Sequence, residues 1–390
     1  MKRTTGHHER TTLEGETVEA FVPEPLPPAP PVEVVGLLAE RLRDAERALG
    51  RLEVAGAMIP SIDWFLYAFV RKEAVVSSQI EGTQATLVDL LRFETGETAE
   101  PGPDVEEVCN YVDALLFARE QLAAKDGLPL SLRLLNETHR RLMRGVRGAD
   151  KQPGEVRRSQ NWIGGSRPGN AIFVPPPPRL LPDLLGAFEK YLHDERTDLP
   201  PLVRAGLVHV QFETIHPYLD GNGRIGRLLI TLALEHWKTL TQPLLYLSLF
   251  FKRHRSEYYR RLNLVRTDGD WEAWLDFFLD GVATIAEEGV VSARELFALI
   301  GNDRTRVLSA SSLSLAAVRL FEALPRHPIV TVSSVMKILD ASKPTAGRAI
   351  EALIASSVLV ETTGKRRDRW FAYHAYLDRL RAGTELAGSA

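Results

Sequence analysis

Apolar positions recur at helical spacing over most of this chain. From Val32 to about Gln121 they fall three and four apart, as in Leu37, Leu38, Leu42, Ala45 and Leu49 and again in Trp64, Phe65, Ala68 and Phe69, the spacing that lines one face of an α-helix. Past the interruption Glu100-Pro101-Gly102-Pro103, the pattern predicts helices over Val105–Ala124, Ser131–Arg144, Leu180–His193, Pro201–Glu213, Arg224–Lys238 and Trp271–Ala286. Two stretches break the rhythm. Residues 1–31 are polar and then proline-dense, a composition that favours extended chain and predicts a tail or strap. Residues 153–178 switch to Gly, Pro and alternating β-formers, so that Trp162-Ile163 and Ile172-Phe173-Val174 read either as a hairpin stopped by Pro175–Pro178 or as a surface loop.

Residues 309–314 read as a linker. Beyond it the order is helix, short helix (Val332–Leu339), a Ser342-capped helix (Pro344–Ser356), then strands at Val358–Thr362 and Trp370–Tyr373 around a basic turn. This order resembles a winged helix-turn-helix. The expected organisation is a Pro-rich tail at 1–31, a helical region at 32–125, a mainly α core at 126–308 and a last unit at 309–390.

With 390 residues, 44% hydrophobic and 25% charged, the chain has the composition of a globular protein of two or three domains. Its 48 Lys+Arg against 51 Asp+Glu remove any global polyelectrolyte argument. The single cysteine, Cys109, excludes an internal disulfide and fits a small buried side chain in a reducing compartment. The polar start and the lack of any long apolar run lead us to expect a cytoplasmic protein that does not engage a membrane. Residues 315–381 have a charge balance of their own, with eleven basic residues against six acidic ones.

The chemistry is concentrated in His216-Pro217-Tyr218-Leu219-Asp220-Gly221-Asn222-Gly223-Arg224-Ile225-Gly226-Arg227, between two apolar helices. Gly221 and Gly223 let successive backbone N–H groups converge, and the following helix adds its positive end, which together make an anion nest. Arg224 and Arg227, three apart, share a face and can reach one polyanion. Asp220 offers a lone hard oxygen, suited to Mg²⁺ beside phosphates. His216 has an ordinary pKa near neutrality, the range for taking a proton from a hydroxyl. These parts describe metal-assisted transfer from a nucleoside triphosphate to a hydroxyl.

The run resembles the Fic (Fido) motif, His-x-Phe-x-Asp/Glu-Gly-Asn-Gly-Arg-x-x-Arg, departing only at Tyr218, which stands in place of Phe. The resemblance implies a Fic-type helical core with a β-hairpin flap, and protein AMPylation: a target Tyr, Thr or Ser hydroxyl attacks the α-phosphate of ATP. It makes His216 the general base, Asp220 the Mg²⁺ ligand, Gly221, Asn222 and Gly223 the anion hole, and Arg224 and Arg227 the grip on the β- and γ-phosphates, with Ile225 and Gly226 in the same ATP-binding turn. It also implies a target-binding flap at Ile163, Gly164, Gly165, Ile172, Phe173 and Val174. Tyr258 and Tyr259 fall where an aromatic near the adenine is expected, or else in the core.

Upstream, Ser77-Ser78-Gln79-Ile80-Glu81-Gly82 resembles the family's inhibitory pattern, in which Ser77, Glu81 and Gly82 belong to a helix that restrains the nucleotide site. A carboxylate on Arg227 would take the guanidinium that the γ-phosphate needs. In some relatives the same Glu supports removal of AMP, and that role stays open. Other transfers, of phosphate or UMP, occur in divergent relatives, but Gly223-Arg224 favours AMP. The implied cofactors are ATP and Mg²⁺, and the implied partner is a protein presenting a hydroxyl. The winged-helix order leaves open DNA bound through Lys343, Thr345 and Arg348 and the basic turn Lys365, Arg366, Arg367 and Arg369, or a homodimer or protein docking through the same unit. The rival reading is a DNA-binding regulator that senses nucleotide, and intact His216 favours the enzyme.

Overall fold

A computed structural model describes residues 3–58, 62–96, 102–310, 314–365 and 367–386. In chain order the elements are β1 (Gly6–Leu13), β2 (Glu16–Pro23), α1 (Gly36–Met58), α2 (Ile62–Ile80), α3 (Leu87–Phe93), α4 (Pro103–Ala123), α5 (Leu132–Leu142), α6 (Leu181–Leu192), α7 (Pro201–Ile215), α8 (Asn222–His236), α9 (Ser248–Arg253), α10 (Arg255–Asp268) and α11 (Trp271–Leu308). There follow α12 (Leu315–Ala323), β3 (Ile329–Thr331), α13 (Val332–Leu339), α14 (Lys343–Ala355), β4 (Val360–Glu361), β5 (Trp370–Ala372) and α15 (His374–Arg381). The protein is thus mainly helical, as the periodicity predicts. The Glu100-Pro101 part of the predicted break, linker residues 311–313 and Arg366 lie outside the described residues.

The chain divides into two compact units that are not consecutive blocks: Met1–Gly50 with Asn110–Ala286, and Arg51–Cys109 with Glu287–Ala390. Helices α1, α4 and α11 have residues in both. The expected boundaries near 125 and 308 therefore do not coincide with the compact units. The helix predicted to stop at Ala286 runs on to Leu308, because no Pro interrupts residues 287–308 and apolar residues continue there.

In the first unit the core forms around α7 and α8. Every residue from Leu202 to Ile215 is buried, so α7 is enclosed on all sides. Gly206 admits Trp274, whose Nε1 donates to the Gly206 carbonyl at 3.0 Å, and a Cβ at Gly206 would lie only 2.8 Å from Leu275 Cδ2.

The polar tail expected at residues 1–31 is instead, over Gly6–Pro23, an antiparallel hairpin. Its two-residue turn is Glu14-Gly15, with φ of 49° and 82°, and the flanking β-branched residues pair Thr11 with Val18 and Thr12 with Thr17. Only the proline-dense stretch after it remains irregular. The flap is also shorter than a full hairpin. Ile163 and Phe173 exchange both backbone bonds, at 2.8 and 3.1 Å, as a single bridge, and a 3₁₀ turn at Pro168–Asn170 fills the loop. The Val174 carbonyl accepts from Phe21 N–H of β2 at 2.9 Å, and Val18, Ala20 and Val174 pack together.

In the second unit, α12, α13 and α14 pack on one another, and three short antiparallel strands lie in the order β3-β5-β4. The Tyr373 hydroxyl donates to Asp303 Oδ2 at 2.7 Å. Helix α2 belongs to this unit: Asp63 at its start pairs with Arg326 at 2.6 Å, and Gln79 near its end donates to the Thr384 carbonyl at 2.9 Å. Among the described residues no helix is long and apolar enough to cross a membrane.

Candidate functional site

The site is built on the six residues that connect α7 to α8. Helix α7 ends at His216, whose N–H bonds the Phe212 carbonyl at 2.9 Å while its backbone turns left-handed, with φ 50° and ψ 62°. A non-glycine residue holds that conformation at a cost of about 1–2 kcal/mol. Helix α8 starts from Gly221, also left-handed, and its first internal bond is Ile225 N–H to the Gly221 carbonyl at 3.1 Å. The N–H groups of Asn222 and Gly223 come before that bond, in the first turn of α8.

Side chains pin the connection. Asn222 Oδ1 accepts from Tyr218 N–H and its Nδ2 donates to the Tyr218 carbonyl, both at 2.8 Å. The Tyr218 ring is fully buried, stacks on His139 at 3.9 Å, and its hydroxyl donates to Asn136 Oδ1 at 2.9 Å. His139 Nδ1 accepts from Gly154 N–H at 2.8 Å, which leaves Nε2–H to donate to the Asp220 carbonyl at 3.0 Å. Burial pushes this imidazole down to about 4, so it stays neutral in that tautomer.

His216 itself is half-buried, with Nδ1 shut away from solvent and unpaired among the described residues. Burial, with the nearby Arg157 and Arg266 guanidiniums, pushes it down to about 3. At neutral pH it is an imidazole with a free lone pair, the form a general base requires.

Asp220 is the exposed member, its side chain 41% accessible against 1% for Arg224. Its Oδ1 accepts from Gly221 N–H at 2.6 Å and lies 3.8 Å from Arg224 Nη2. A Cβ at Gly148 would come within 2.8 Å of Oδ2, so glycine there keeps space at the second oxygen. Among the described residues no group of three or more His, Cys, Asp or Glu could hold a metal. A single open carboxylate fits Mg²⁺, which keeps several waters and takes further ligands from phosphates.

Arg224 and Arg227 are both buried in the first turns of α8. Ile225 is enclosed in the core, and Gly226 serves packing: its carbonyl accepts from His209 Nδ1–H at 2.9 Å, and a Cβ there would strike Glu213 Oε1 at 2.2 Å. Tyr258 is a core residue, 1% exposed, its hydroxyl donating to His209 Nε2 at 2.8 Å, whereas Tyr259 is 42% exposed.

In the flap, Gly164 and Gly165 take φ of 68° and 74°, Ile172 is exposed, and Phe173 and Val174 are buried. An open cleft of about 280 Å³ between β2, the flap and α10 is lined by Phe21, Ile172, Phe173, Asn263 and Arg266, among others. The residues of the inhibitory pattern lie in the other unit. Ser77 is buried in the last turn of α2, and Glu81 and Gly82 form the turn that ends it, with Glu81 half-buried and Gly82 at φ 99°. Sequence reasoning missed His139, Asn136 and Arg157, whose guanidinium donates to the His216 carbonyl at 2.9 Å.

Residues 39–120 match the Fic/DOC family N-terminal region and residues 129–234 the Fic/DOC family domain. The chain is 31% identical over 213 residues to the protein adenylyltransferase Fic of Drosophila erecta, covering 52% of this chain and 38% of that protein. It is 31% identical over 269 residues to the Drosophila willistoni protein of the same name, covering 62% and 49%. The chain thus spans less than half the length of these curated relatives. Among solved structures, a Fic family protein from Desulfovibrio desulfuricans G20 superposes with a TM-score of 0.55 at 20% identity, over 88% of this chain and 97% of that one. A Fic domain containing signaling protein from Bacteroides thetaiotaomicron gives 0.51 at 18%, over 64% and 95%. At these identities the structures show a shared fold.

Tyr218 stands where the motif has Phe, and among the described residues its hydroxyl bonds Asn136. Tyr218→Phe is expected to leave nucleotide binding intact and to lower stability by about 1–2 kcal/mol, the cost of an unpaired buried acceptor, in a urea titration. A large loss of nucleotide binding would place the hydroxyl in the site itself.

Proposed function

Because this chain carries a Fic/DOC N-terminal region and a Fic/DOC domain, we propose that it transfers AMP from ATP to a Tyr, Thr or Ser hydroxyl of a target protein. The observation that carries this reading is His216, its Nδ1 without a partner among the described residues, fixed at the end of α7 only a few residues ahead of the helix N-terminus at Asn222. In this reading the N–H groups of Asn222, Gly223 and Arg224 receive phosphate oxygens, and Arg224 and Arg227 neutralise the rest of the triphosphate. His216 accepts the target's hydroxyl proton as its oxygen attacks the α-phosphorus, and pyrophosphate leaves. Asp220 would hold Mg²⁺, which when bound supplies charge neutralisation to the phosphates. Tyr259 is the exposed ring offered to the adenine. The cleft beside Ile172 takes the target segment.

Glu81 is proposed as the brake. Its place at the end of α2, behind a buried Ser77, and its match to the family's inhibitory pattern support this role. A role for the same carboxylate in removing AMP belongs to the same proposal. In the last unit, the order α12-β3-α13-α14-β4-β5 supports a winged helix, with Lys343 and Arg348 exposed on α14.

With α-³²P-ATP and Mg²⁺, Glu81→Gly is expected to raise label incorporation well above wild type, and adding His216→Ala to abolish it. Label surviving in the double variant would remove His216 from the base role, and equal label in wild type and Glu81→Gly would remove the brake. For the last unit, duplex DNA is expected to bind with an affinity that falls steeply with salt. Absence of binding together with a concentration-dependent dimer would assign the unit to self-association.

A further inference from the structure

We propose that Arg157 is the positioning residue of the transfer site, a single buried guanidinium that holds the carbonyl of the base and both ends of the flap in one frame. The proposal rests on the transfer reading above. Arg157 lies in the irregular segment between α5 and the flap and is 1% exposed. Its Nε donates to the His216 carbonyl at 2.9 Å, Nη2 to the Pro176 carbonyl at 2.6 Å and Nη1 to the Ser159 carbonyl at 3.3 Å. Its own backbone N–H donates to the Pro217 carbonyl at 2.9 Å. Ser159 precedes the flap and Pro176 follows it, so one planar fork joins flap entry, flap exit and catalytic loop.

The chemistry of the group makes this arrangement informative. Among the described residues no carboxylate pairs with Arg157, and burial lowers its pKa only to about 10, so it remains a cation surrounded by carbonyl dipoles. A buried charge without a counter-ion is costly for folding, and here its donors go to three backbone carbonyls, of Ser159 in its own segment, Pro176 after the flap and His216 after α7. His216 needs such a clamp. Its left-handed backbone has no glycine freedom, and a turn of its carbonyl would swing the imidazole away from the substrate hydroxyl. Lysine cannot replace the fork, because an ammonium is a compact point charge without planar, divergent donors.

The test uses the full chain carrying Glu81→Gly, with Arg157→Lys and Arg157→Gln added separately. Three quantities are read: the rate of labelling from α-³²P-ATP, the KM for ATP, and amide hydrogen exchange at Ile163 and Phe173. A loss of geometry is expected to lower kcat by about 100-fold in both variants, with KM for ATP within about threefold, and to speed exchange at the two flap amides by about tenfold while α7 and α8 stay protected. Should Arg157→Gln lose protection throughout α7 and α8, the Lys variant with intact protection carries the test. Wild-type kcat and wild-type flap exchange in Arg157→Lys would overturn the proposal, as would a rise in KM at unchanged kcat. If no chain is labelled, the Glu81→Gly parent included, the transfer reading has failed. The flap exchange then still decides whether Arg157 clamps the frame.

Discussion

The first unit depends on bringing a polar connection into a dry core. Helices α7 and α8 are buried nearly all round, yet the residues between them include His216, Tyr218 and Asp220. In such surroundings an unpaired polar group costs as much as a good packing contact gains. The connection is therefore saturated with bonds from outside itself: Asn222 and Asn161 on the Tyr218 carbonyl, Asn136 on its hydroxyl, His139 on the Asp220 carbonyl and Arg157 on the His216 carbonyl. Among the described residues His216 Nδ1 keeps no hydrogen-bond partner, and the Asp220 carboxylate, which accepts from Gly221 N–H, stays 41% accessible.

The same burial sets the electrostatics. His139, His209 and His216 are all pushed well below their ordinary pKa, first by burial and then by neighbouring arginines. For His139 and His209 the consequence is structural, since each neutral ring donates from one nitrogen and accepts at the other. For His216 the consequence is chemical. Its ring is neutral at pH 7, the form in which it would accept a proton in the proposed transfer.

Much of this was legible in the residues. The motif from His216 to Arg227 marked the connection between α7 and α8 on which the candidate site is built, and the helical periodicity located α4 to α8 to within a few residues, because amphipathic spacing and caps are local properties. The demand of Tyr218 for a hydroxyl partner followed from its type, but Asn136 lies 82 residues away and no local rule selects it. Arg157 was invisible for the same reason: Arg158 beside it is exposed, and nothing in the two letters separates them. The hairpin at Gly6–Pro23 was masked by the prolines that follow it, although Glu14-Gly15 between Thr-rich runs carried its turn signal. The division into units was out of reach, since α2 packs with α15 through contacts about 300 residues apart in the chain.

The most direct measurement follows which phosphorus of ATP reaches the target. Parallel incubations of the Glu81→Gly protein with ATP labelled at the α- or the γ-phosphate, in the presence of Mg²⁺ and cell lysate, separate adenylyl from phosphoryl transfer. Protein-bound label from the α-position alone, lost with His216→Ala, is the predicted result. Label from the γ-position, or α-label that persists without His216, would contradict a base-assisted transfer of AMP.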